Sequence, residues 1–330
     1  MSDTKRDDAD DSPYAPPQLP DPAPGDSAAS FYAMPANGVM WIEQPLPPAP
    51  VSPPRVWTAL VVGIFALPTS WVIGGVVLGV VAMLFYGPSM MQSPDWLTEF
   101  TQTRFGLLVV ILPGQLVFLA ASVAAAALSP ETLHQRLALE RGCLPFWTWA
   151  VFVLATPVVG IASSLLLSQL VDEPSEQLRL MAEMMRAHAH GGFLIVLLLL
   201  VGVLPGFVEE LLFRGYMQSR LLRRWPPVVA ITASTLVFAA AHMDPLHVVG
   251  VLPLGIWLGM VAWRADSVWP AMMCHGINNA IAVAGTVLND PDVIDVTFDP
   301  MTIVSLAIGG PAMLLSLVIL ASGIERSPRS

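Results

Sequence analysis

Of the 330 residues, 55% are hydrophobic and 12% are charged, about half the ~25% charged share of an ordinary soluble domain. Mean hydropathy is +0.65, and 15 Lys+Arg against 25 Asp+Glu give a net charge of −10. Such a chain cannot clothe a soluble globule in charge, so a soluble enzyme, a nucleic-acid binder and a coiled coil are excluded, and lipid is left as the main solvent.

Residues 1–54 hold eight acids, two bases and 13 of the 31 prolines. A stretch this rich in Pro and Asp has little apolar surface to offset its ordering entropy, and it reads as a disordered, acidic, Pro-rich cytoplasmic tail. It has neither the positive start nor the short apolar core of a signal peptide. Pro45–Pro54 offers a polyproline docking segment as an alternative to a solubilising leader.

A hydrocarbon core ~30 Å thick needs ~20 apolar residues of helix. Eight segments qualify: 56–86, 105–128, 146–171, 192–213, 226–242, 246–263, 268–288 and 302–322. Backbone groups in lipid need internal partners, so these are helices. The expected fold class is all-α, a polytopic membrane protein with about eight transmembrane helices. The first span is long enough to break, with Pro68 as the expected place. The organisation expected is tail 1–54, N-terminal transmembrane helices 55–145 and a transmembrane core 146–325. Connections 129–145 (Arg136, Arg141) and 214–224 (Arg214, Arg220, Arg223, Arg224) and the end (Arg326, Arg329) are basic, while loops 87–103 and 289–301 are acidic. With eight spans the basic connections share one side with the tail, which puts both termini in the cytoplasm.

Between the third and fourth spans, residues 172–190 read as an amphipathic helix outside the membrane. Cys143 and Cys274 read as structural thiols, one pair being no disulfide framework. The ten tryptophans mostly mark span ends, as interfacial anchors do.

Charged groups inside a bilayer are costly and point to function. Glu209 and Glu210 sit together in an apolar run, and Arg214 follows four residues after Glu210. On a helix Glu210 and Arg214 share a face and can pair, while Glu209 points ~100° away. A carboxylate without that partner suits a proton-accepting base. Phe238 and His242 share a face at the end of the fifth span, as do His275 and Asn279 inside the seventh. Counted at ~1.5 Å per residue from the basic ends, Glu209, His242, His275 and Asn279 lie ~15–25 Å deep. Three helices thus bring polar groups to nearly one depth, which a shared site explains.

Glu209 can take a proton from water, His242 can orient that water, and His275 and Asn279 can donate to an oxyanion. This set suits hydrolysis of an acyl bond. Glu209, His242 and His275 could instead hold Zn²⁺, with a fourth position for water. The residues leave zinc and metal-free catalysis equally open. No His is followed by Glu, so there is no HExxH helix. No Gly-Asp falls in a span, and Cys274 beside His275 is not a dyad, because helix neighbours do not face each other.

The three motifs Glu209-Glu210-x-x-x-Arg214, Phe238-x-x-x-His242 and His275-x-x-x-Asn279 resemble, in order and embedding, those of the CPBP intramembrane proteases. That family includes the Ras-converting CAAX endopeptidase and the bacterial Abi-type proteins. The similar region runs from about Gly192 to Asp290. The resemblance implies an eight-helix membrane fold with a cavity holding these residues. It also implies an intramembrane endopeptidase in a bacterial inner membrane, with lipid around it and a peptide or membrane protein as substrate. Carried over, Glu209 activates water, His275 and Asn279 stabilise the oxyanion, and His242 lies beside the water, with Glu210 and Arg214 completing the catalytic set. Prenylated substrates do not carry over. Two other readings remain: a non-catalytic peptide-binding or bacteriocin-immunity protein, and a proton-coupled transporter, against which no inverted repeat is visible.

Overall fold

The computed structural model describes residues 55–90, 95–171, 173–288 and 300–322. The tail 1–54, the acidic residues Asp290–Asp299 and the arginines 326 and 329 lie outside the described residues. All regular structure among the described residues is helical. In chain order the helices are α1 (Val56–Met90), α2 (Trp96–Thr101), α3 (Arg104–Ala127), α4 (Leu133–Arg136), α5 (Phe146–Ser168), α6 (Glu176–His188), α7 (Phe193–Leu221), α8 (Pro227–Ala240), α9 (Pro245–Ala265), α10 (Trp269–Leu288) and α11 (Pro300–Ala321).

Seven of these, α1, α3, α5, α7, α9, α10 and α11, are long and apolar enough to cross a membrane. Their outward side chains match an apolar solvent: Leu84 and Leu314 are 75% and 69% exposed, and Val228 of the shorter α8 is 76% exposed. Exposure of that extent is an aggregation hazard in water and ordinary in lipid. The fifth expected span, 226–242, is shorter than anticipated. α8 has 14 residues, a rise of ~21 Å at ~1.5 Å per residue, against a core of ~30 Å. The start of α9 sets its end. Asp244 accepts a hydrogen bond on Oδ1 from the His247 N–H at 2.8 Å, and Pro245 occupies the first turn of α9. A cap and a proline at that position commit the chain to a new helix. Met243, at φ 61°, makes the turn between the two.

Pro68 does not break α1. The non-helical residue is Gly87, at φ 71° and ψ 175°, followed by Pro88. Glycine takes positive φ without steric cost, and a proline drives the residue before it out of the helical region. Pro68 lacks such a partner and is carried within the helix. α6 forms outside the candidate spans, its first turn capped by Ser175, whose Oγ accepts from the Leu178 N–H at 3.3 Å. Both cysteines are free, Cys274 buried and Cys143 half-buried.

A small apolar cluster joins α3, α6, α7 and α10 through Leu107, Met185, Leu197, Leu200 and Val283, and two larger ones hold the bundle. One gathers residues of α1, α3, α7 and α8, the other residues of α5, α9 and α11, and α10 contributes to both through Met272 on one side and Ala271 and Cys274 on the other. α10 therefore lies between the two, beside α7. Their backbones approach closely at small residues. A Cβ added to Gly206 would lie 2.5 Å from the Gly276 nitrogen, and one on Gly202 would lie 3.0 Å from the Ala280 Cα. Small residues four apart on both helices permit this approach, the usual device where lipid supplies no hydrophobic drive between helices.

Candidate active site

The contact of α7 with α10 sets the site. Glu210 stands four residues after Gly206 on α7, and His275 immediately precedes Gly276 on α10. Glu210 is fully buried, and its Oε1 accepts from Arg214 Nη1 at 2.7 Å and from His275 Nδ1 at 3.0 Å. Arg214, 2% exposed, also donates through Nη2 to the Gly255 carbonyl of α9 at 2.9 Å, and its guanidinium lies 4.3 Å from the centre of the Phe238 ring. An unpaired charge in such surroundings would be costly. Here the cation has a carboxylate, a carbonyl and an aromatic face. Glycine is needed at 255, because a Cβ there would press on Thr235 at 2.7 Å and on Phe238 at 3.2 Å.

α7 is not regular at this point. Leu198–Val203 and Leu211–Gln218 are π-helical, flanking the α-helical turn that carries both glutamates. Wider turns of this kind inside α-helices recur at functional sites. One turn beyond Arg214, Gln218 Nε2 donates to the Gly259 carbonyl at 2.9 Å, so α7 is tied to α9 twice.

Glu209 lies outside this network. It is half-buried, and its Oε1 accepts from Gln115 Nε2 of α3 at 3.3 Å. Glu209 and His275 both lie within electrostatic range of His242. Phe238 separates the histidines, its ring centre 5.2 Å from that of His242 and 5.6 Å from that of His275. No hydrogen bond among the described residues joins Glu209 to either histidine.

Asn279, one turn after His275, lines a cavity of about 1060 Å³ between α5, α9, α10 and α11. His247 and Asn278 share this lining, which contains no charged side chain among the described residues. Glu209, His242 and His275 are not part of the lining. His247 connects the two regions, its ring centre 4.4 Å from that of His242.

The structure therefore brings Glu210, Arg214 and His275 into direct contact and sets His242 across Phe238 from them, with Asn279 on the neighbouring cavity wall. Three residues not singled out in the sequence join the set: Gln115, His247 and Asn278. A histidine five residues after His242 was the one available signal. As for zinc, no three His, Cys, Asp or Glu side chains among the described residues are grouped closely enough to hold a metal ion. Glu209, His242 and His275 as placed do not form a ligand set.

Residues 191–281 match the family of type II CAAX prenyl endopeptidase Rce1-like proteins. This segment is Rce1-like, consistent with the CPBP family. The Rce1-like segment begins beside Gly192 and ends two residues after Asn279, so it takes in all three motifs. It supports a CAAX-type intramembrane protease in general terms, in an integral multi-pass membrane protein. No curated protein and no solved structure matches the chain.

Proposed function

We propose that the protein is an intramembrane endopeptidase in which Glu209 activates the attacking water. The observation that carries this reading is the division between two adjacent carboxylates. Glu210 is fully buried and spends one oxygen on both Arg214 and His275. Glu209 is half-buried with a single amide partner. Glu210 serves as a fixed anchor, whereas Glu209 can take a proton from water. His242, in the field of Glu209, orients that water.

Attack on a peptide carbonyl places negative charge on its oxygen. His275 Nε2 and the Asn279 amide donate to that oxyanion. The Glu210 carboxylate, 3.0 Å from His275 Nδ1, holds the ring in orientation. Preorganised donors of this kind are worth several kcal/mol each in a dry site. The proton taken by Glu209 then passes to the departing amine. The substrate is a peptide or membrane protein reaching the site from the lipid layer. We place both termini on the cytoplasmic side, which requires the shorter α8 to carry the chain across along with the seven longer helices; the basic connections at 129–145 and 214–224 support that side, and a bacterial inner membrane is read from the family resemblance.

The test is incubation of the purified protein with membrane peptides, with and without chelator, beside Glu209→Gln. Cleavage by the wild type in chelator and its loss in a folded Glu209→Gln are expected. Undiminished cleavage by the variant would remove Glu209 from the reaction. One observation favours a second reading, a non-catalytic peptide binder: the cavity carries Asn278 and Asn279 but not Glu209. Peptide binding that survives Glu209→Gln, without cleavage by either protein, would select it.

A further inference from the structure

At the other end of α7 a cluster of guanidinium groups takes no part in peptide hydrolysis. Arg220 and Arg223 close the turn at the end of the candidate span Phe193–Leu221, and Arg136 ends α4, in the connection after the candidate span Arg104–Ala127. Arg223 and Arg136 meet one carboxylate, and Arg220 lies within electrostatic range of it. Arg223 holds Glu131 with both terminal nitrogens, Nη2 to Oε2 at 2.9 Å and Nη1 to Oε1. Arg136 Nη1 lies 3.4 Å from Glu131 Oε2, and its Nε donates to Ser129 Oγ at 2.8 Å. Arg220 Nη1 donates to the Tyr216 hydroxyl at 2.5 Å, and its Nε is buried without a partner among the described residues.

Arg136, Arg220 and Arg223 all act electrostatically on Glu131, and Arg220 and Arg223 act on Arg136 as like charges. Three cations against one carboxylate leave an excess of two positive charges in one place. Arg136 is only 3% exposed, so water screens it poorly. Like charges held together under such conditions call for a second anion. The position selects its kind. The cluster lies at the ends of two apolar helices, beside Leu128, 90% exposed, and Leu133, 42% exposed. A phosphate satisfies guanidinium forks, and the exposed leucines suit acyl chains more than water. We propose that Arg136, Arg220 and Arg223 form a binding site for the phosphodiester headgroup of an anionic phospholipid, with Glu131 as the internal anion that holds the arginines in place and competes with the lipid. This site is independent of the proteolytic reading.

The full-length protein in neutral detergent micelles tests it, by tryptophan quenching with brominated phosphatidylglycerol against brominated phosphatidylcholine. The wild type is expected to prefer phosphatidylglycerol. Arg220→Gln should lower that preference about fivefold, the effect of one interfacial arginine. Glu131→Gln should raise it, a gain that misfolding cannot produce and that decides the matter should Arg220→Gln not fold. Equal quenching by the two lipids in the wild type, a preference untouched by Arg220→Gln, or no rise in Glu131→Gln would overturn the proposal. So would millimolar inorganic phosphate abolishing the preference, which would make free phosphate the occupant.

Discussion

His275 Nδ1 stands 3.0 Å from Glu210 Oε1, the same oxygen that accepts Arg214 at 2.7 Å. One buried carboxylate oxygen thus joins α10 to α7, and through Arg214 to α9. The arrangement makes Glu210 a structural anchor, and on the proposed reading it leaves proton transfer to its neighbour Glu209.

Glu210→Gln should therefore unfold the site where Glu209→Gln does not. Removing one partner of a buried ion pair typically costs ~3–5 kcal/mol, because the other charge is left uncompensated. Thermal unfolding in detergent should show a clearly lowered midpoint for Glu210→Gln. Replacing Arg214 by Met in the same protein should recover part of that loss, since no charge is then stranded. Equal stability of Glu209→Gln and Glu210→Gln would contradict the division of roles.

Gly206→Leu tests the helix contact. Even a Cβ at 206 would lie 2.5–2.6 Å from the Gly276 backbone, so α7 and α10 must separate. Overpacking of this kind costs ~1–3 kcal/mol or more. The greater effect should fall on activity, because the separation draws His275 away from Glu210. A Gly206→Leu protein that cleaves at the wild-type rate would show that the contact is dispensable.

The two asparagines of α10 should behave differently. With Asn279 in its proposed role as oxyanion donor, Asn279→Ala should lower kcat by about 10²- to 10³-fold with KM little changed. Asn278→Ala removes a cavity-wall amide beside Gly160 and should act mainly on KM. Steady-state kinetics on one peptide substrate separate the two outcomes.

Stability should depend on pH through Glu131. Burial pushes its carboxyl up, but the Arg223 hydrogen bond and the charges of Arg223, Arg136 and Arg220 outweigh burial and hold it below the ordinary value of 4.5. A depressed folded value means stability that is present above pH 4.5 and is lost as pH falls through the folded value. Acid unfolding curves of the wild type should show that loss, and Glu131→Gln should lack it.

Much of the fold was legible in the chain because it is local. The pair Glu210 and Arg214 follows from a four-residue spacing, and the long spans follow from apolar runs that only lipid can solvate. The rest depends on distant partners. Gln115 meets Glu209 across 94 residues of sequence, and nothing in its surroundings, an apolar helix with one amide, announces the contact. The end of α8 was obscured because the apolar run continues through Ala239, Ala240 and Ala241. The stop comes from Asp244 and Pro245, which act on the next helix. Gly202, Gly206, Gly276 and Ala280 carried a readable signal of close helix approach in their four-residue spacing.

The two bonds from Arg214 and Gln218 to the Gly255 and Gly259 carbonyls act as rivets one turn apart. Two fixed points on parallel tracks forbid both sliding and rolling, so α7 and α9 must travel as a single slab. α9 is a wall of the cavity and α7 carries Glu209, so on the proposed reading these rivets keep the base in register with that wall while a guest is bound.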